Sequence, residues 1–279
     1  AFLQALRQQS VEFSRLPIVP ARSTRSVLSY AQLRQWFLWQ LEKDSTAYHI
    51  SVAVRLEGKL DVSALKASFD ALVARHESLR TVFRARQNGE VEQVIAANAR
   101  AHIEQLDASD VVDARQREVR VRAEAARLDQ TPFDLECGPL LRVGLTRVAS
   151  QEHVLVVVMH HIVSDGWSMQ ILIDEFVRQY RARVGGEQLQ LAALPIQYAD
   201  YAIWQRSWLE AGEKDRQLAY WKGQLGAEHP VLQLPTDHAR SADGLYTAAV
   251  HAIELSSALT SSLQRRAQTE GATLFMALL

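Results

Sequence analysis

From Val154 to Met159 the chain reads Val-Leu-Val-Val-Val-Met with no polar interruption. An apolar, β-branched run of this length predicts a strand buried on both faces. Further on, apolar residues at 169, 172, 173, 176, 177 and 180 follow helical spacing, and Gly185-Gly186 supplies a stop. Upstream, Ser29 is suited to cap a helix through Leu41, with Leu33, Trp36, Phe37 and Leu41 on its apolar face. Tyr48 to Leu56 alternates as a strand, and Gly58 marks a turn. A helix follows with Val62, Leu65, Phe69, Leu72 and Val73 on one side, and it delivers Arg75-His76-Glu77 at its C-terminal end. Leu79 to Ala85 and Val91 to Ile95 read as strands joined through Asn88-Gly89. Ala108 to Leu128 is a charged, Arg/Glu-rich helix with a solvated face. Leu140 to Val148 is a strand, and Ala149 to Glu152 connects it to the apolar run. Helices are expected at Tyr198–Leu209 and Arg216–Leu225, a strand at Tyr246–Leu255, and a helical run from Ser256. At the start, Phe2 to Phe13 is a short helix candidate broken by Leu16 to Pro20. Together these elements imply an α/β fold, with an open mixed sheet covered by helices.

Composition adds little to this pattern but excludes several classes. With 279 residues, 48% of them apolar, the chain can bury a sizeable core. The formal net charge of −1 offers no basic excess for nucleic acid and no polybasic segment for anionic lipid. A single cysteine, Cys137, excludes an intrachain disulfide framework and a multi-cysteine metal site, and a cytoplasmic setting fits. No signal peptide or apolar run of spanning length is present. The chain starts without an initiator methionine and stops inside an apparent helix, with Leu259, Leu263, Leu274, Phe275 and Leu278 still in need of packing partners. A piece of a longer polypeptide is therefore expected.

The candidate chemistry sits between the apolar run and the helix after it, in His160-His161-Ile-Val-Ser-Asp165-Gly166. Adjacent strand residues point to opposite faces, so His160 and His161 cannot both face one cavity if strand geometry persists. Gly166 opens the helix, where unpaired N–H groups and the helix dipole favour a developing oxyanion. A histidine beside such a site can accept or relay a proton near neutral pH. These residues also allow a purely structural reading, with Ser164 or Asp165 as N-cap and both histidines satisfied in the core. No familiar zinc spacing is present, which argues against a metal site.

Met159 to Ser168 resembles the His-His-x-x-x-Asp-Gly signature of condensation domains from nonribosomal peptide synthetases. Three further stretches are similar to family motifs, in the same order: Ser29 to Leu38, Arg75 to Phe83, and Tyr198 to Trp204. Gln35 departs from the Leu or Met common at its position. The resemblance implies a chloramphenicol acetyltransferase-like mixed sheet flanked by helices, the first lobe of a two-lobed, V-shaped domain. Residues 1–20 would be an N-terminal arm or linker, 21–185 the N-terminal lobe, and 186–279 a connection and the incomplete start of the second lobe. The family's later Phe-Val-Asn-Thr-like motif has no counterpart in this sequence.

The resemblance also implies a reaction, the transfer of an acyl, aminoacyl or peptidyl group from one carrier-bound thioester to the amine of another carrier-bound aminoacyl group. No cofactor is bound intrinsically, because both substrates hang on phosphopantetheine arms. The implied partners are donor and acceptor peptidyl carrier domains and a neighbouring adenylation domain, with no nucleic acid and no membrane. His161 is the implied catalytic residue. Supporting roles fall to His160, Asp165, Gly166, Ser168, Arg75 and Arg80, with Asp165 tied to Arg75 or Arg80 by an ion pair. An activated thioester needs no serine or cysteine nucleophile, and the chain has no G-x-S-x-G elbow. An epimerisation domain would carry the same signature, but the Ser29–Leu38 stretch and Gly166-Trp167-Ser168 are more similar to condensation domains. A heterocyclisation domain would have aspartate at position 160. A relative that only docks partner proteins usually has a damaged motif, and this one is intact.

Overall fold

The computed structural model describes residues 17–21, 27–226, 228, 233, 235–239, 251 and 253–279. The elements are α1 (Tyr30–Leu41), β1 (His49–Glu57), α2 (Val62–Arg75), β2 (Thr81–Ala85), β3 (Val91–Ile95), β4 (Ile103–Asp107), α3 (Ala114–Gln130), β5 (Leu141–Ala149) and β6 (Glu152–His160). After these come α4 (Gly166–Val184), α5 (Tyr198–Trp208), α6 (Lys214–Leu225), α7 (Ser257–Thr269) and α8 (Leu274–Leu278). Among the described residues, no helix is long and apolar enough to cross a membrane.

Four strands form a mixed sheet in the order β1-β6-β5-β4, antiparallel except for β4 beside β5. β6 holds an inner place, which explains its unbroken apolar run. Val154, Val156 and Val158 pack into a core with Trp36, Phe83 and Leu128. Leu155 and Met159 enter a second core with Phe69 of α2, against which Leu172 and Phe176 of α4 pack. Each such buried side chain contributes about 1.5–3 kcal/mol, so this strand anchors both layers.

Several boundaries differ from expectation for physical reasons. The charged helix begins at Ala114, capped by Asp113, and the chain before it forms β4. β4 is an edge strand with a mixed burial pattern, so it lacks the clean alternation that would identify it in sequence. Residues Glu77–Arg80 form a 3-10 turn, and strand β2 starts only at Thr81. The buried side of α1 is Gln32, Gln35, Trp36 and Trp39, while Phe37 and Leu41 are exposed. Gln32 is buried because its side chain completes a capping box with Ser29 and bonds to Gln93. One close approach is not legible in the sequence. A Cβ at Gly144 of β5 would come within 2.2 Å of Leu128 Cδ1, so glycine there lets α3 lie against the sheet.

Two compact units are present, Ala1–Pro230 and Val231–Leu279. α5 belongs to the first unit and is bonded to earlier elements. Tyr198 Oη meets Ser29 Oγ at 3.0 Å, Gln205 accepts from the Tyr30 N–H at 3.0 Å, and Arg206 donates to Leu28 O at 2.8 Å. In the second unit, Ser256 caps α7 as expected. The helix candidate at Phe2–Phe13 lies outside the described residues, as does most of the strand candidate at 246–255.

Candidate active site

The backbone N–H groups of the two histidines, at the end of β6 and just beyond it, bond to opposite sides. The His160 N–H donates to Leu140 O at 3.1 Å, and the His161 N–H to Tyr48 O at 2.8 Å, on the neighbouring strand or segment to either side. The His160 ring is buried, with its centroid 6.2 Å from Phe133 and 6.4 Å from His49. Its Nδ1 accepts the Ile162 N–H at 3.0 Å, which leaves the neutral ring's proton on Nε2. Burial pushes its pKa down to about 4, helped by the nearby His49 and His161. His160 is therefore neutral near neutral pH and part of the packing. His161 is exposed and borders a cleft of about 280 Å³.

The turn between the histidines and α4 is braced from α1. Gln32 Nε2 donates to Ile162 O at 3.4 Å and to Gln93 Oε1 at 3.3 Å. Asp165 then caps α4, accepting from the Ser168 N–H at 2.7 Å and from Ser168 Oγ at 2.6 Å. The Ser168 hydroxyl and N–H hold the Asp165 carboxyl below its ordinary range. A Cβ at Gly166 would meet no atom within 4 Å, so its small size is not required by packing among the described residues.

The arginine ties run elsewhere than expected. Arg75 Nε is 3.1 Å from Glu175 Oε1, and Arg75 Nη1 donates to Ala192 O at 2.6 Å. His76 Nε2 is 2.7 Å from Glu175 Oε2. Arg80 pairs with Glu77 at 3.3 Å and donates to Ala96 O. Neither arginine bonds to Asp165, whose carboxylate is taken up by Ser168. The reason is position: Arg75 ends α2, which packs along α4, so it meets the middle of α4 and not its first turn. Gln197 adds to this junction, donating to Arg75 O at 3.1 Å and accepting the Glu77 N–H at 3.1 Å.

His161, Asp165 and Ser168 share the cleft with Gln35 of α1, His76 and Tyr198. Burial raises the Tyr198 pKa. Sequence reasoning assigns no site role to Gln35 or Tyr198. The available signal is polarity on an inward helix face, because Gln35 follows Gln32 by three residues. Two oxygens of lining residues, Gln35 Oε1 and Ser164 Oγ, are buried and have no hydrogen-bond partner among the described residues. Cys137 is exposed and borders no part of this cleft. Among the described residues, no three His, Cys, Asp or Glu side chains gather as they would around a metal ion.

Residues 23–279 match the family described as the Condensation domain. The chain belongs to the condensation-domain family of nonribosomal peptide synthetases. It is 44% identical over 278 residues to one of the linear gramicidin synthase proteins of Brevibacillus parabrevis, covering 99% of this chain and 4% of that protein. It is 40% identical over 280 residues to malpibaldin synthetase of Mortierella alpina, covering 100% of this chain and 5% of that protein. Its fold is similar to the X-domain in the complex of the X-domain and OxyB from teicoplanin biosynthesis (TM-score 0.76, 31% identity, 92% of this chain and 56% of that one). The fold is also similar to the first condensation domain of the calcium-dependent antibiotic synthetase (TM-score 0.72, 23% identity, 90% and 57%). The chain thus spans a small part of the synthetases it matches and a little over half of the solved domains.

Proposed function

We propose that this chain carries the His-His motif half of an amide-forming condensation site. There an acyl, aminoacyl or peptidyl group passes from a donor carrier thioester to the amine of an acceptor aminoacyl carrier. The observation that carries this reading is the separation of the two histidines. His160 is buried and neutral, and His161 borders an open cleft.

The chemistry asks little of the protein. An α-amine has a reference pKa of about 7.7–8.0, so a useful fraction is already unprotonated near neutral pH. The amine attacks the thioester carbonyl, the C–N bond forms and the C–S bond breaks. The amine's proton leaves through His161 or solvent, and the products are an amide and a thiol. His161 either orients the amine or takes its proton as the tetrahedral intermediate forms. Holding two tethered reactants together contributes several kcal/mol besides. Gly166, which opens α4, is assigned to oxyanion contact through its N–H, supported by the dipole of that helix.

The test uses the complete domain with donor and acceptor carrier proteins, each loaded through phosphopantetheine, and follows the acceptor by intact-mass spectrometry. Donor mass appearing on the acceptor with wild type, and lost with His161→Ala, supports the reading. Equal transfer by both proteins leaves condensation in place and removes His161 from it.

A second reading is docking of a partner protein. It is favoured by the similarity to the X-domain seen in complex with OxyB. No transfer from several well-loaded pairs, together with stable binding of a partner protein, would favour it.

A further inference from the structure

Two neighbours of His161 have unmet hydrogen-bonding capacity. Gln35 and Ser164 are each only 7% exposed. Gln35 Oε1 and Ser164 Oγ are buried without a partner among the described residues, and both residues line the cleft that His161 borders. A buried oxygen left without a hydrogen bond is unfavourable by about 1–3 kcal/mol, so a turn of either side chain toward a donor in the cleft is favoured. Gln35 Oε1 can only accept. A thioester carbonyl also only accepts and cannot complete it. A group rich in N–H can.

Resting on the condensation reading, we propose that Gln35 is a seat for the reacting amine of the acceptor. An unprotonated primary amine has two N–H bonds and one lone pair. With one N–H donated to Gln35 Oε1 and the other to His161, the lone pair is the only direction left for the thioester carbon. Ser164 Oγ closes the same wall as a second hydrogen-bonding group. The titratable groups around the cleft are Arg34 on α1, His76 beyond α2, His161 and Asp165 in the motif turn, and Tyr198. His76 and Asp165 are already engaged, with Glu175 and Ser168 respectively. The uncharged Gln35 amide can therefore hold the amine without fixing it as an ammonium.

The experiment compares wild type, Gln35→Leu and Gln35→Glu in the complete domain, with thermal melts to check folding. Two measurements are made. One is single-turnover amide formation between loaded carriers across pH. The other is affinity for an alanyl amide of aminopantetheine against its lactyl analogue, which has hydroxyl in place of amine. Gln35→Leu is expected to slow transfer about ten- to hundredfold and to lose the preference for alanyl over lactyl. Gln35→Glu is expected to retain that preference and to move the rate's rise with pH upward by about one unit, because a carboxylate holds the amine protonated. A packing role would lower rates without moving either readout. Wild-type rate and preference in Gln35→Leu, with an unmoved pH profile in Gln35→Glu, overturn the proposal. If wild type forms no amide yet prefers alanyl, and Gln35→Leu does not, the catalytic reading fails and the amine seat stands. If Gln35→Leu does not fold, the pH profile and the preference of Gln35→Glu decide.

Discussion

At its first turn, α4 is held by Asp165, which takes one backbone and one side-chain hydrogen bond from Ser168. At its middle, the same helix is held by Glu175, which meets both Arg75 and His76 at the end of α2. The first is a local cap between residues three apart. The second joins elements about a hundred residues apart, with side chains only 12–19% exposed. The cap itself uses no residue from outside the motif, while Gln32 of α1 braces the turn before it. The ion pair fixes where the helix lies, from Glu175 in the middle of α4. Both anchors therefore reach the cleft that His161 borders, the cap through Asp165 and Ser168 and the ion pair through His76.

The largest effect should come from the residue that neither anchor touches. His161→Ala is expected to slow amide formation about 10²- to 10⁴-fold while the melting temperature stays near wild type, since the side chain is exposed. A large drop in melting temperature would mean that His161 is part of the packing after all.

His160 should show the opposite behaviour, with stability dependent on pH. Its folded pKa of about 4 lies below the ordinary 6.5. The unfolded chain therefore binds a proton first as pH falls. The stability linked to neutral His160 is complete above pH 6.5 and is lost as pH drops from 6.5 toward about 4. The difference across that window is on the order of 3 kcal/mol. Denaturant titrations at several pH values should show a shallower slope for His160→Gln than for wild type, and an unchanged slope would place the titration elsewhere.

Glu175→Gln tests the mid-helix anchor. It leaves Arg75 and His76 without a charged acceptor and should lower stability by about 1–3 kcal/mol, measured by chemical denaturation. Combining it with Arg75→Ala should lower stability by less than the sum of the two single changes. Full additivity would show that the pair is not coupled.

The smallest effect is expected at the cap. Asp165→Ala should lower stability by about 1 kcal/mol, while Asp165→Asn, which keeps an accepting oxygen for the Ser168 N–H, should be nearly neutral. A large loss with Asn would restore a role for the carboxylate's charge, such as the arginine tie that the sequence suggests.

Much of this is legible in the sequence because it depends on local periodicity. The apolar run of β6, the face of α2 and the Ser29 and Ser256 caps are short-range patterns, and each element forms where its spacing requires. The alternation rule separates His160 from His161 only if the strand persists, and β6 ends at His160, so the exposure of His161 is set by the turn that follows. What sequence does not determine is which distant groups meet. Arg75 stands beside Glu175 and not Asp165 because α2 packs along the body of α4. Gln35 turns inward because the buried side of α1 follows Gln32, Trp36 and Trp39, while the large apolar Phe37 is left outside. Gly144 is required because Leu128 comes down on it from α3. Hydrogen-bonded caps and strand alternation depend on neighbours within a few residues, so the chain determines them alone. Ion pairs, buried amides and close approaches depend on the distance between packed elements, and only the tertiary structure decided that.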